Sequence, residues 1–171
     1  MQAQALAISI RKATSEDAAG ILACLRAAFE EFRNLYTPAG FLDTVLTPET
    51  LHERLESMSV FVAVSPANQI DRSAVMLSIV GTIACNVVSA EEGHLRGMAV
   101  WPSLRGTGIA AQLLSRAEEE LRSRKCIRAT LDTTEPLQRA MRFYEKCGYR
   151  RSGKITDFFG MALIEYEKAL R

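Results

Sequence analysis

The sequence predicts an α/β fold: a mixed sheet, mainly antiparallel, with one parallel crossover and helices flanking it. Three observations carry this expectation. Strand-like stretches, alternating or continuously apolar, recur along the chain. Among them lie stretches whose apolar residues return every three or four positions, the helical repeat. The strand-like stretches at Val60 to Val64, Val75 to Val88 and His94 to Val100 are joined by links short enough for hairpins, whereas a whole helix separates His94 to Val100 from Arg128 to Asp132, as a parallel crossover requires.

Ala7 to Lys12 alternates, with Ile8 and Ile10 on one face, and reads as a first strand. Thr14-Ser15-Glu16-Asp17 caps a helix that runs to about Asn34, with Ile21, Leu25, Phe29 and Phe32 near helical spacing. Thr37-Pro38-Ala39-Gly40 reads as a break. Thr47-Pro48-Glu49 opens a second helix that carries Leu51, Leu55 and Met58 on one side. Strands are expected at Val60 to Val64, Val75 to Val88 and His94 to Val100, with a polar turn over Ser65 to Arg72. Pro102 to Thr107 is a loop, and Gly108 to about Arg124 a helix with Ile109, Leu113, Ala117 and Leu121 every four residues. Arg128 to Asp132 is a strand, and Glu135 to Cys147 a helix with Pro136 in its first turn. Two strands, near Arg150 to Lys154 and Phe158 to Glu167, end the series. No low-complexity linker or repeat interrupts it, so residues 7–171 read as one domain.

Composition narrows the function classes. The 171 residues are 48% apolar and 24% charged, which suits a soluble domain that buries roughly two-thirds of its unfolded surface. A net charge of +1 argues against a general nucleic-acid binder and an acidic disordered tail. That total hides a split: six basic and eleven acidic residues up to Leu95, then twelve basic and six acidic from Arg96 to Arg151. Cys24, Cys85, Cys126 and Cys147 form no CxxC pair, and with only His52 and His94 available no metal site is expected. Reduced thiols in a cytoplasmic protein are the plain reading. The opening MQAQALAISIRK lacks a basic leader, and Val75 to Val88 is too short and too interrupted to span a membrane, so neither secretion nor a membrane partner is expected.

The most informative stretch runs from Met98 to Ala110. A strand ends, Arg105 is followed by Gly106-Thr107-Gly108, and an apolar-periodic helix begins at Ile109. Glycines leave backbone N–H groups unshielded, and a helix N-terminus adds oriented donors and partial positive charge, a combination suited to a phosphate or pyrophosphate. Arg105 supplies a charge-assisted bond to the same anion. A tight turn with glycine at a helix entry is the plainer alternative. Gly106-x-Gly108-x-x-Ala111 also fits the dinucleotide fingerprint loosely, but antiparallel strands precede it and no Rossmann unit surrounds it. A Walker loop is excluded, because no Gly-Lys-Ser/Thr follows.

Leu95-x-x-Met98-Ala99-Val100-x-Pro102-x-x-Arg105-Gly106-x-Gly108-Ile109-Ala110 resembles the acetyl-CoA site of the GNAT superfamily of N-acetyltransferases. The signature there is Arg/Gln-x-x-Gly-x-Gly/Ala, and Arg105, Gly108 and Ala110 fill its positions. Further on, Ala140-Met141-Arg142-Phe143-Tyr144-Glu145-Lys146-Cys147-Gly148-Tyr149 resembles the family's A-x-x-F-Y-E-K-x-G-F segment. The element order from Ile8 to about Ala169 matches as well. One departure stands out: Leu137 occupies a position where the family often has Asn.

The resemblance implies transfer of the acetyl group of acetyl-CoA directly to a primary amine of a small molecule or peptide. It also implies a mainly antiparallel sheet splayed between two strands. Backbone groups of Met98, Ala99 and Val100, beside a bulge that suits Gly97, would hold pantetheine and the thioester carbonyl. The pyrophosphate would lie on Arg105, Gly106, Thr107, Gly108, Ile109 and Ala110. Thr133 and Thr134 would supply the polar group to the cofactor that a leucine at position 137 cannot. Tyr144 matches the general acid for the CoA thiolate, although its spacing with Ala140 and Cys147 also suits plain core packing. His94 stands where relatives often carry a basic Glu, with Glu91 and Glu92 as competitors and an idle strand residue as the alternative. Phe29, Phe32 and Tyr36, with Phe41, Glu30 and Glu31, are candidates for the acceptor cleft, and Phe158 to Met161 for its opposite wall. Because the family transfers acetyl directly, Cys126 and Cys147 read as structural. Homodimers are common in the family. The basic segment would then face the cofactor, and the acidic one a cationic acceptor. Two rival classes remain: a non-catalytic acyl-CoA sensor of the same fold, and a nicotinamide-dependent oxidoreductase built on the loose glycine match.

Overall fold

The computed structural model describes residues 7–66 and 79–171. Within them strand β1 is Ser9–Lys12, and a 3-10 turn leads into helix α1, Ala18–Phe29. A second 3-10 stretch, Glu30–Leu35, extends α1 to about the expected end. Helices α2, Pro38–Val45, and α3, Pro48–Ser57, follow, then strands β2, Ser59–Val64, β3, Ile79–Val87, and β4, Glu92–Val100. Helix α4, Ile109–Ser123, crosses to β5, Arg128–Thr134, and helix α5, Gln138–Lys146, precedes the hairpin of β6, Arg150–Phe158, and β7, Met161–Ala169. The start of the third expected strand, Val75 to Ser78, most of the polar turn before it and the first six residues lie outside the described residues.

Three expectations need correction. Thr37-Pro38 does not end helical structure but starts α2: the Thr37 hydroxyl accepts the Gly40 N–H, and Pro38 takes the first helical position, where its missing donor is harmless. Pro136 lies ahead of α5 rather than in its first turn, because the Leu137 N–H donates to Thr134 O and closes a turn first. The last hairpin turns later than expected, at Phe159-Gly160, so β6 continues past Lys154 to Phe158; the remaining elements form close to their expected bounds.

The strands form a seven-stranded sheet in the order β1-β2-β3-β4-β5-β7-β6. Every neighbouring pair is antiparallel except β4 and β5, which the α4 crossover makes parallel. Apolar layers cover both faces. On one, Leu113, Leu114, Ala117 and Leu121 of α4 pack on Leu95, Ala129 and Leu131. On the other, Ile21 and Leu25 of α1 and Leu51 of α3 pack on Val60, Val62 and Ala84. Among the described residues, no helix is long and apolar enough to cross a membrane.

The parallel pairing is short. It runs from Glu92 opposite Arg128 to Leu95 opposite Leu131 and then stops, although both strands continue. On its other side β4 stays paired with β3, but Thr82 faces Ala99 while Ala84 faces Arg96, so β4 carries one extra residue between them. Gly97 lies in that bulge at φ +65°, a left-handed conformation that glycine adopts without strain. The sheet is therefore splayed between β4 and β5, beyond Leu95 and Leu131.

Below the splay, Gly93 lets α4 approach the sheet closely: a Cβ there would run into the fully buried side chain of Leu121. Gly93→Ala should therefore destabilise the fold by about 1–3 kcal/mol in urea unfolding, the usual effect of overpacking a filled core.

Candidate active site

A cavity of about 920 Å³ runs through the splay. One end reaches the loop before α4, and the other reaches the aromatic side chains that follow α1. It thus connects the two faces of the sheet where β4 and β5 are unpaired.

The loop end presents backbone donors without helical acceptors. Gly106 and Gly108 have φ +78° and +89°, and no atom lies within 4 Å of where a Cβ would stand on either. Left-handed backbone, not crowding, is what calls for glycine here. Gly108 caps α4, and the first in-helix bond there is from the Gln112 N–H to Gly108 O. The N–H groups of the first turn, at Ile109, Ala110 and Ala111, are left without helical acceptors, and these residues line the cavity. Thr107 does not line it; its hydroxyl donates to Leu104 O at 2.6 Å and braces the turn. Arg105 lines the cavity but is already engaged: its guanidinium pairs with Glu31 and donates to Ala28 O at 2.9 Å. It therefore ties the anion loop to the end of α1.

Along the splay, Met98, Ala99 and Val100 of β4 face Thr133 and Thr134 of β5, all of them lining the cavity. The two threonines differ. Thr134 shares a 2.6 Å hydrogen bond with the Tyr36 hydroxyl. Thr133 is only 4% exposed, and its hydroxyl has no partner among the described residues. A buried hydroxyl left unpaired in a cavity wall is unfavourable by itself, and a ligand that bonds it removes the penalty. The donor-rich loop and this orphaned hydroxyl suit a CoA-like ligand with phosphates at one end and amides in the gap. Leu137 also lines the cavity, so the position where the family often has Asn offers only an apolar contact.

Tyr144, on α5, is 9% exposed and borders the cavity, with Phe143 and Tyr149 against its ring. Its hydroxyl makes no hydrogen bond to a described residue, and burial raises its pKa well above the ordinary phenol value. Core packing and a place in the cavity wall are therefore compatible for this side chain. His94, on β4, also lines the cavity, with Nδ1 2.8 Å from Thr130 Oγ1 and Nε2 3.3 Å from Asp132 Oδ2. Its competitors are placed differently. Glu92 pairs with Arg128 at the foot of the splay, and neither it nor Glu91 lines the cavity.

Phe29, Phe32 and Tyr36 line the far end, in edge-to-face and tilted contacts with centroids 6.5 Å apart, and Phe158 of β6 joins them. Phe41 does not; it is buried behind Tyr36. Glu30 is held by Arg33 and Glu31 by Arg105, so neither is free to meet an acceptor. All four cysteines are free thiols, and burial raises the pKa of each, with Cys24 and Cys85 pushed up to about 12. A nucleophile needs the opposite shift.

Several cavity residues escaped the sequence reading: Arg54 and Asp43 from the helices before β2, and Arg139, Arg142 and Lys146 as a stripe on α5. The α5 cations are spaced three and four apart, which places them on one helix face, and they have no ion partner among the described residues. By contrast Arg116, Arg122 and Arg124 pair with Glu118 or Glu120 along α4.

A sequence profile of the acetyltransferase (GNAT) family matches residues 25–149, which include the anion loop, the splayed strands and Tyr144. The chain belongs to the GNAT acetyltransferase family. A 53-residue stretch is 45% identical to an acetyltransferase of Agrobacterium fabrum; the match covers 31% of this chain and spans only 37% of that relative's length. The fold is similar to PaiA N-acetyltransferase of Thermoplasma acidophilum, crystallised in complex with coenzyme A. The TM-score is 0.73 at 17% identity, over 94% of this chain and 98% of that one. It is equally similar to a GNAT acetyltransferase of Staphylococcus aureus, with TM-score 0.73 and 18% identity over 96% and 100% of the two chains. At such identities the likeness is one of fold. In this GNAT protein the seven-stranded mixed sheet, splayed and flanked by helices, is the family architecture.

The bulge gives the site's sharpest structural dependence. A Cβ on Gly97 would have to adopt a left-handed φ and would collide with the Arg54 guanidinium. Gly97→Ala should lower stability by about 1–2 kcal/mol in urea unfolding. Because the free edge of β4 moves with the bulge, CoA affinity measured by calorimetry should fall severalfold as well.

Proposed function

We propose that this protein transfers the acetyl group of acetyl-CoA to a primary amine, with residues 7–171 acting as one catalytic domain. The observation that carries the reading is the cavity, which joins an anion cradle to an aromatic acceptor end through the gap between β4 and β5. A cofactor laid through that gap would bring its acyl group from one face of the sheet within reach of an acceptor on the other.

The anion cradle at Gly106 to Ala111 and the free cations Arg139, Arg142 and Lys146 would bind the phosphates of the cofactor. Arg105 reaches them only by exchanging Glu31 for phosphate, so it couples cofactor binding to the end of α1. Acetyl-CoA supplies the activated acyl group. Backbone N–H groups on the unpaired edge of β4, at Met98 to Val100, would steady the thioester carbonyl as its oxygen gains charge. The buried Tyr144 hydroxyl keeps its proton at neutral pH, so it can donate to the departing thiolate. His94 Nε2 would take the amine proton, which would then lie between the ring and the Asp132 carboxylate. Thr130 holds the other ring nitrogen and fixes the orientation of the imidazole.

The test is release of free CoA thiol from acetyl-CoA across a panel of amines. Release that depends on amine supports the transferase. Tight CoA binding with no release on any amine would favour a sensor, and stabilisation by NAD but not acetyl-CoA would favour the oxidoreductase. Tyr144→Phe should lower kcat about tenfold or more while leaving CoA affinity intact; an undiminished rate would remove Tyr144 from the acid role. His94→Ala should lower kcat/KM and displace the acid limb of its pH profile, whereas an unaltered profile would move the base elsewhere.

A further inference from the structure

The acceptor end of the cavity is not the acidic surface that the charge split led one to expect. Arg54 of α3 is half-buried in its wall, and it makes neither an ion pair nor a hydrogen bond to any described residue. Burial and the adjacent Arg96 push its guanidinium down to about 10, with Asp43 pulling the other way, so it remains cationic at neutral pH. Arg96 has one ion partner among the described residues, Asp43, and that contact is loose at 3.9 Å. Two guanidiniums, with only that one loose pair between them among the described residues, thus lie beside a cavity that must admit an amine.

An ammonium by itself would be repelled by that surplus, whereas an amine that also carries an acid would be drawn to it. A half-buried guanidinium with unused donors is favourable only when a ligand meets them, and its planar fork matches a carboxylate. Gly97 makes the space, since a Cβ there would occupy the place of the Arg54 guanidinium. Arg96 and Gly97 are adjacent in the bulge, and His94 is two residues before Arg96 on the same strand, roughly 6.6 Å away along it. Long arginine side chains close such a distance readily. An amino acid fits this spacing, with its amine toward His94 and Asp132 and its carboxylate toward Arg54 and Arg96.

We propose that the acceptor is an amino-carboxylate, an amine whose acidic group is held by Arg54 and Arg96. This rests on the acetyltransferase reading and adds the substrate class to it. The aromatic end formed by Phe29, Phe32 and Tyr36 then receives the apolar part of the acceptor.

The test compares L-amino acids with their carboxamides as acceptors in the thiol-release assay. L-phenylalanine and L-phenylalaninamide are the pair chosen to suit the aromatic wall. The acids should exceed the amides at least tenfold in kcat/KM, and Arg54→Gln and Arg96→Gln should each shrink that gap by raising KM for the acids. Arg54→Lys, which retains the charge, should restore part of it, and an unchanged CoA affinity would show that each variant is folded. The proposal is overturned if amides serve as well as acids or if the gap survives in both glutamine variants. It is also overturned if Arg54→Gln lowers kcat equally for acids and amides, which would assign Arg54 to the acyl group instead. Calorimetric titration of L-phenylalanine into the CoA-loaded protein separates this from the transferase reading. Arg54-dependent binding without turnover on any amine would uphold the carboxylate site and refute catalysis. Absence of such binding together with absence of turnover would refute the carboxylate site as well.

Discussion

A single extra residue in β4 governs the site. The pairing of β4 with β5 is regular until Leu95 and Leu131, where it ends. Beyond that point the bulge at Gly97 carries β4 away from β5, while β3 and β7 keep their outer edges paired. Backbone donors and acceptors that would have satisfied one another now face a cavity. Unpaired backbone groups in a protein interior are unfavourable unless solvent or a ligand meets them. The gap is therefore both the weak point of the sheet and the reason a ligand belongs there. It also explains why chemistry can pass from one face of the sheet to the other.

The splay stays open because its surroundings are tied down. At its foot, Arg128 pairs with Glu92 on β4 and Glu167 on β7, clamping the strands below the point where they part. Behind it, Glu118 of α4 is 5% exposed and accepts hydrogen bonds from the Tyr149 hydroxyl at 2.9 Å and from Lys168 Nζ at 2.8 Å. A buried carboxylate satisfied by partners from two other elements pins α4, and with it the anion cradle at its first turn. On the opposite side, Arg105 reaches across to Glu31 and Ala28 O and ties the loop before α4 to the end of α1.

The fold is legible wherever local chemistry decides it. Thr47-Pro48 announces α3 because a capping hydroxyl and a proline at the first helical position are a local signal. Thr37-Pro38 carries the same signal, but Ala39-Gly40 after it has the composition of a turn and masks α2. Tertiary packing settles that case: Phe41 and Val45 bury against Tyr36, and the capping hydroxyl accepts the Gly40 N–H. The anion loop is legible for the same reason as α3, since its glycines answer to backbone angles rather than to neighbours. Charge is not legible in this way. Counting residues along the chain suggests a basic cofactor side and an acidic acceptor side, but Arg105 and Arg128 pair with Glu31 and Glu92 of the acidic half, and Arg54 comes from that half.

Read alone, the chain specifies the order of elements, the parallel crossover and the glycine turn at Gly106 and Gly108 ahead of α4. These follow from periodicity, caps and left-handed glycines, which act over a few residues. Only the tertiary structure decided which groups meet across the gap: His94 with Asp132, Thr133 with no described residue, Arg54 with the space left by Gly97, and Arg105 with Glu31. Each of these depends on strands and helices far apart in the chain being brought within a few ångströms. Burial then decides whether a polar group there is satisfied or left waiting for a ligand, and the chain order carries no record of burial.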